Sequence, residues 1–294
     1  MIGMPNLTTA LLDLLYELKG STVRLIVGGG FGIYLREAEV RASGIRTVLR
    51  EWPEPRSTND LDLFLRPELI IESAKLKPLQ AALKNLGYET VRGAEKYQFI
   101  KRAGGDSEVG GIKIDILTGS RACFQGTGVK TDKRRAKPSP SVGIHAHPVE
   151  EAITLERGLR SKSLIGCLSN GEQWTGEVFL LHAYTFLMMK LFAFRDRLDD
   201  SNKDFGRYHA LDIYTILATT TEDEWRNSLE LRDELEDQPP VIEAGNLVYK
   251  YFSATDRLGV IRLKESPYWR SDQELDEFIA ALKELFPSTI QTFG

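Results

Sequence analysis

The sequence predicts an α+β fold, with a mixed sheet and flanking helices over residues 1–150 and a helical domain over residues 151–294. Three observations lead there. NDLDLFL (59–65) and GIKIDIL (111–117) alternate apolar and polar residues, the pattern of half-buried strands. VRLIV (23–27) runs straight into Gly28, Gly29 and Gly30 and then into FGIYLREAEVRA (31–42), giving a strand, a glycine turn and a helix in succession. After about residue 150 helical periodicity dominates to the end of the chain. At 294 residues the chain is also long for one core, which favours two domains.

The elements follow in order. Leu11, Leu12, Leu14, Leu15 and Leu18 predict a helix over 7–19 with Asn6 or Thr8 as its N-cap. A polar loop over 50–58 leads into the strand NDLDLFL. Residues 67–87 read as helical, interrupted near Pro78. YETVRG (88–93), YQFIKR (97–102) and GIKIDIL read as three further strands, and 119–143 as glycine-rich, basic loops without periodicity. Helices are predicted over 176–198, 203–219, 223–236, 241–253 and 272–286, the last with Asp272 near its start and Pro287 as its stop.

Composition excludes several classes. With 42% apolar and 27% charged residues the chain reads as an ordinary globular protein. The longest apolar run, FLLHAYTFLMMKLFAF, contains His182 and Lys190 and reads as a buried helix rather than a membrane span. The N-terminus lacks a basic leader and a small-residue cleavage site, so no signal peptide is expected. Cys123 and Cys167 have no zinc-ligand spacing, and a reducing cytoplasm is the expected location. No Walker A or GxSxG motif is present. The net charge of −4 argues against coating by nucleic acid over the whole surface, yet Arg121, Lys130, Lys133, Arg134, Arg135 and Lys137 face only Asp132 in their segment. The acidic stretch Glu222 to Asp237 reads as a solvated helix face.

The chemistry concentrates on three aspartates. Asp60 and Asp62, two apart on a strand, point to one face, with Leu61, Leu63 and Leu65 on the other. GIKIDIL repeats the arrangement, with Ile112, Ile114 and Ile116 opposite Lys113 and Asp115. Adjacent carboxylates repel, and a hard divalent cation held between them relieves the repulsion. A glycine turn opening a helix directs backbone N–H groups and a positive dipole end at a neighbouring anion such as a polyphosphate. Lys190 and Arg197 lie two turns apart on one helical face, and His209 and Asp212 share a face of the next predicted helix. A purely structural interhelical pair between Lys190 and Asp212 fits that spacing equally well. His145 and His147 lack a third metal ligand at matching spacing, and His182 reads as a core histidine.

These residues resemble the nucleotidyltransferase superfamily related to DNA polymerase β, in which a glycine turn precedes Asp-x-Asp and a third aspartate on a later strand. The segment RSTNDLDLF, with Arg56, Thr58, Asp60 and Asp62, resembles the R-x-T-x-D-hydrophobic-D block of the AbiEii/AbiGii-type nucleotidyltransferase toxins, including the MenT-like enzymes of type IV toxin–antitoxin systems. FLMMKLFAFRDR and KDFGRYHALDIY resemble that family's second signature at Lys190, Arg197, Lys203, Asp204 and Asp212. Phe31 stands where the superfamily commonly carries a small hydroxyl residue.

The resemblance implies two-metal transfer of a nucleoside monophosphate from a nucleoside triphosphate (NTP) to RNA, expected at a tRNA 3′ end, by a toxin countered by a separately encoded antitoxin and without a membrane partner. Asp60, Asp62 and Asp115 would hold two Mg²⁺ ions, with Mn²⁺ as the alternative. Gly29, Gly30, Arg56, Thr58 and Lys190 would bind the nucleotide, and Lys190 and Asp212 would join the three metal-binding aspartates in catalysis. Lys130, Lys133, Arg134, Arg135 and Lys137 would contact RNA. Two other readings are transfer to a small molecule such as an aminoglycoside, and a non-catalytic nucleotide- or RNA-binding module of the same fold.

Overall fold

The computed structural model describes residues 4–53, 56, 58–94, 96–102, 111–270 and 274–288. The fold is mixed α/β, with a sheet that combines parallel and antiparallel strands. The chain divides into two compact units. One comprises residues 1–32 and 57–181, the other 33–56 and 182–294. The boundary expected near residue 150 therefore moves to 181, because residues 160–180 are not helical but form two strands of the sheet.

In the first unit, α1 (Met4–Glu17) precedes β1 (Ile26–Val27), and α2 begins there and covers Gly29–Ser43. The first helix thus starts before Thr8, which lies within it rather than capping it. Then come β2 (Asp60–Leu65), α3 (Pro67–Ile71), α4 (Lys77–Asn85), β3 (Glu89–Thr90), β4 (Gln98–Lys101) and β5 (Ile112–Thr118). Pro78 does not interrupt a helix. It lies in the first turn of α4, where its missing N–H costs nothing. β6 (Lys130–Thr131) and β7 (Ala136–Lys137) pair with each other, so the basic segment expected as a loop is a hairpin. β8 (His147–Pro148), β9 (Arg160–Cys167) and β10 (Gln173–Leu180) complete the described strands.

The main sheet runs β3-β4-β5-β2-β1-β10-β9, with β8 pairing with the end of β5. β2 and β5 are parallel neighbours in the middle of it, and β1 is antiparallel to β2. Leu61, Leu63, Ile114 and Ile116 are fully buried on one face of the central pair. Truncating one of them to alanine typically costs about 2–5 kcal/mol, so this face determines which way the strands turn their polar side.

The second unit holds the rest of α2 and α5 (Ala183–Arg197), α6 (Arg207–Ala218), α7 (Glu222–Glu234), α8 (Pro239–Phe252), α9 (Leu258–Lys264) and α10 (Leu275–Leu285). The helix expected from 176 starts at 183, capped by buried His182, whose Nδ1 accepts the Tyr184 N–H. Asp272, expected near the start of the last helix, lies outside the described residues. Phe194, Tyr214, Tyr251, Phe252 and Phe278 form an aromatic core. Glu224 is not on a solvated face. It is buried against Arg36, which is itself fully buried and also donates to Thr219. Among the described residues no helix is long and apolar enough to cross a membrane.

Candidate active site

The parallel register of β2 and β5 sets Asp60 opposite Lys113 and Asp62 opposite Asp115. In-register residues of neighbouring strands share a face, so all three carboxylates lie together on the side away from Leu61 and Ile114. Gln98 on β4 pairs with Asp115 in the next register position and hydrogen-bonds its side chain.

The glycine turn meets this row at Asp62. The Gly28 N–H donates to the Asp62 carbonyl at 2.8 Å, extending the β1–β2 ladder by one bond. Gly29 then opens α2 with φ +60°, and a Cβ built on it would fall 2.7 Å from Cγ of Asp62 and closer still to Oδ2. Only glycine combines that backbone conformation with so close a carboxylate. The Asp62 side chain consequently lies against the first turn of a helix, where dipole and N–H groups favour negative charge. Gly30 is in the same turn. Thr58 stands just ahead of the strand, its Oγ1 accepting from the Asp60 N–H at 3.4 Å.

A fourth charge enters the cluster. Lys113 Nζ donates to Asp115 Oδ2 at 3.1 Å. Burial alone would lower the ammonium's pKa, but Asp115, Asp60 and Asp62 outweigh it and raise the value. Burial pushes the Asp115 carboxyl up, against the opposing pull of Lys113 and with the help of Asp60. The other oxygen of Asp115, Oδ1, is buried without a hydrogen-bond partner.

No three His, Cys, Asp or Glu side chains among the described residues are already gathered as a metal-binding group. The residues nevertheless suit a hard cation. The donors are carboxylate oxygens, one of them orphaned in a buried position, and an ammonium ion stands among them as a cation.

The second unit gathers a different cluster. Arg56 donates from Nε and Nη2 to both oxygens of Asp212 at 2.8 Å, and Lys190 Nζ approaches Oδ2 at 2.7 Å. The Asp212 side chain is only 4% exposed and that of Lys190 8%. Burial would raise the Asp212 carboxyl, but Arg56 and Lys190 prevail and hold it well below the usual carboxylate range. His209 Nδ1 is 4.0 Å from Asp212, and burial, together with Lys190, lowers its pKa to about 3. Two cations on one carboxylate, with a neutral imidazole beside them, leave a positive site suited to phosphate.

Of the residues expected from sequence, Asp60, Asp62, Asp115, Gly29, Gly30 and Thr58 belong to the first unit, and Arg56, Lys190 and Asp212 to the second. Asp204 does not join Asp212. It adopts φ +51° in the turn before α6, and its side chain faces Arg207.

The basic hairpin is organised by Asp132. Its carboxylate accepts the backbone N–H groups of Arg134 and Arg135 and pairs with Lys137 at 2.7 Å. The carbonyl of Arg134 meets His147 Nδ1 at 2.9 Å. His145 is buried, which lowers its pKa to about 4 with help from Lys96, Arg135 and Lys137. Neither Lys113 nor the Asp132 anchor carried a distinctive signal beyond alternation and the acidic exception in a basic run.

Compared with known proteins, the chain matches no family model and no curated protein sequence.

Proposed function

We propose that the protein is a metal-dependent nucleotidyltransferase that moves a nucleoside monophosphate from an NTP to an acceptor hydroxyl, releasing pyrophosphate. The observation that carries this reading is the β2–β5 register, which aligns Asp62 with Asp115 while Gly29 brings a helix N-terminus against the Asp62 carboxylate. Asp60, Asp62 and Asp115 would hold Mg²⁺ or Mn²⁺, which when bound neutralises triphosphate charge and acidifies the acceptor hydroxyl. Asp115 accepts the hydroxyl proton, a role suited to a carboxylate whose burial raises its proton affinity and whose Oδ1 has no other partner. The first turn of α2 offers N–H donors to phosphate oxygens. Asp212 fixes Arg56 and Lys190 as phosphate-binding cations.

The acceptor in this reading is RNA, at a tRNA 3′ end, and the protein is the toxin of a toxin–antitoxin pair. The support is the motif resemblance together with the ordered basic hairpin. Incubation with each labelled NTP, Mg²⁺ and total RNA tests it. Label should enter RNA and be lost with EDTA. Label entering an aminoglycoside instead would replace the acceptor, and no labelled product from any NTP would remove the activity.

A further inference from the structure

The ion pair inside the carboxylate cluster bears on how that cluster takes up cations, an inference that rests on the metal-dependent reading above. Lys113 stands opposite Asp60 in the register and bonds Asp115, the partner of Asp62, so one ammonium serves three carboxylates. The pair is partly buried, with side-chain exposures of 30% and 18%, which strengthens its attraction over that of a surface pair. Three carboxylates against one ammonium leave two net negative charges. One divalent ion neutralises these. A second finds no negative charge left unless the ammonium moves away or a triphosphate brings its own.

We infer that Lys113 competes with a divalent cation for Asp115, so that the protein alone takes up one ion and the second enters only with nucleotide or after Lys113 is displaced. An ion held by Asp60 and Asp62 leaves the Lys113–Asp115 bond in place. An ion at Asp115 meets the orphaned Oδ1 first and is opposed there by the ammonium held on Oδ2 of the same carboxylate. Lys113 is thereby a positioning residue that couples occupancy of the second cation position to the presence of substrate. Its four-carbon stem allows the ammonium to swing aside without moving the strand.

Calorimetric titration of Mn²⁺ into nucleotide-free wild type, Lys113→Met and Lys113→Arg tests this without an activity readout. Wild type should bind one ion. Lys113→Met should bind two, the second at concentrations at least about tenfold below any at which wild type takes up a second ion. Lys113→Arg, which keeps the competing charge, should behave like wild type. A non-hydrolysable NTP analogue should raise the wild-type stoichiometry to two, a measurement that stands even if Lys113→Met fails to fold. Equal stoichiometry and affinity in folded Lys113→Met and wild type would overturn the competition while leaving the metal site intact. Weaker binding by Lys113→Met would overturn it too, because Lys113 would then be assembling the carboxylates rather than opposing the ion. Absence of Mn²⁺ binding in all proteins, with or without nucleotide, would overturn both this inference and the metal-dependent reading.

Discussion

Replacing Gly29 by alanine separates the position of the Asp62 carboxylate from the stability of the fold. Two effects act at Gly29. Its φ of +60° is left-handed, which costs an L-residue about 1–2 kcal/mol. The new Cβ would also lie 2.7 Å from Cγ of Asp62, so the carboxylate must move or the helix must shift. Gly20 provides the control. It lies in the same unit at φ +79° with nothing within 4 Å of its would-be Cβ, so Gly20→Ala incurs the conformational cost alone. Both variants should lower the thermal midpoint, by a few degrees per kcal/mol for a chain of this size. Only Gly29→Ala should lose nucleotidyl transfer and Mn²⁺ binding, by about 10–100-fold when a metal-binding carboxylate loses its orientation. Transfer rates and midpoints of the two variants, measured side by side, decide the matter. If Gly29→Ala keeps the activity of Gly20→Ala, the reasoning that ties Asp62 to the glycine turn fails.

The aspartates and cations of the two clusters make separate predictions. Asp62→Ala and Asp115→Asn should abolish transfer while the fold is kept, and Asp115→Asn should leave the unfolding midpoint little changed because burial already disfavours the charge on that carboxyl; a large fall in midpoint would assign these carboxylates to the fold instead. Asp212→Asn should destabilise by about 3–5 kcal/mol, because it strands the charges of Arg56 and Lys190 in a largely buried site. Lys190→Met leaves Asp212 paired with Arg56, so its stability loss should be smaller while the NTP concentration required rises; equal losses in urea melts would contradict the asymmetry. His209 and His145 are held near 3 and 4, below the ordinary 6.5, so the unfolded chain takes up their protons first. Stability should fall as pH drops from about 6.5 towards 4, by at most about 1.4 kcal/mol per pH unit for each imidazole. Urea midpoints at pH 7 and 5 should converge in His209→Gln relative to wild type. Changing Lys133, Arg134 and Arg135 to Ser should flatten the salt dependence of transfer to RNA and leave the NTP requirement unchanged; rate curves that superimpose on wild type at two salt levels would free the hairpin of any RNA role.

Where the sequence was legible, the physical reason is the same in each case: a local pattern carried the information. Alternation in NDLDLFL and GIKIDIL placed β2 and β5 and put the aspartates on one face, because the buried leucines and isoleucines leave only one orientation. Their adjacency and register depend on pairing across some fifty residues, which no local pattern encodes. β10 and α5 are separated only by Leu181 and His182, and the apolar run that crosses the junction hid a strand inside an expected helix. β9 was missed because most of its residues are not buried, so it has little apolar pattern to read. The Arg36–Glu224 pair joins residues far apart in the chain and made an acidic helix look wholly solvated. Lys190 and Asp212 were found through spacing and motif, but Arg56 as the second partner of Asp212 emerges only from the fold. The hairpin around Asp132 shows how one acidic residue turns a basic run into an ordered element.

Whether Asp60, Asp62 and Asp115 support metal-dependent nucleotidyl transfer is decided by pyrophosphate release from each of the four NTPs with total RNA, for wild type and Asp62→Ala, in Mg²⁺ and in EDTA. Wild type should release pyrophosphate in Mg²⁺ with at least one NTP, with none released in EDTA or by folded Asp62→Ala. Release that persists in the Asp62→Ala protein at the wild-type rate would contradict that role.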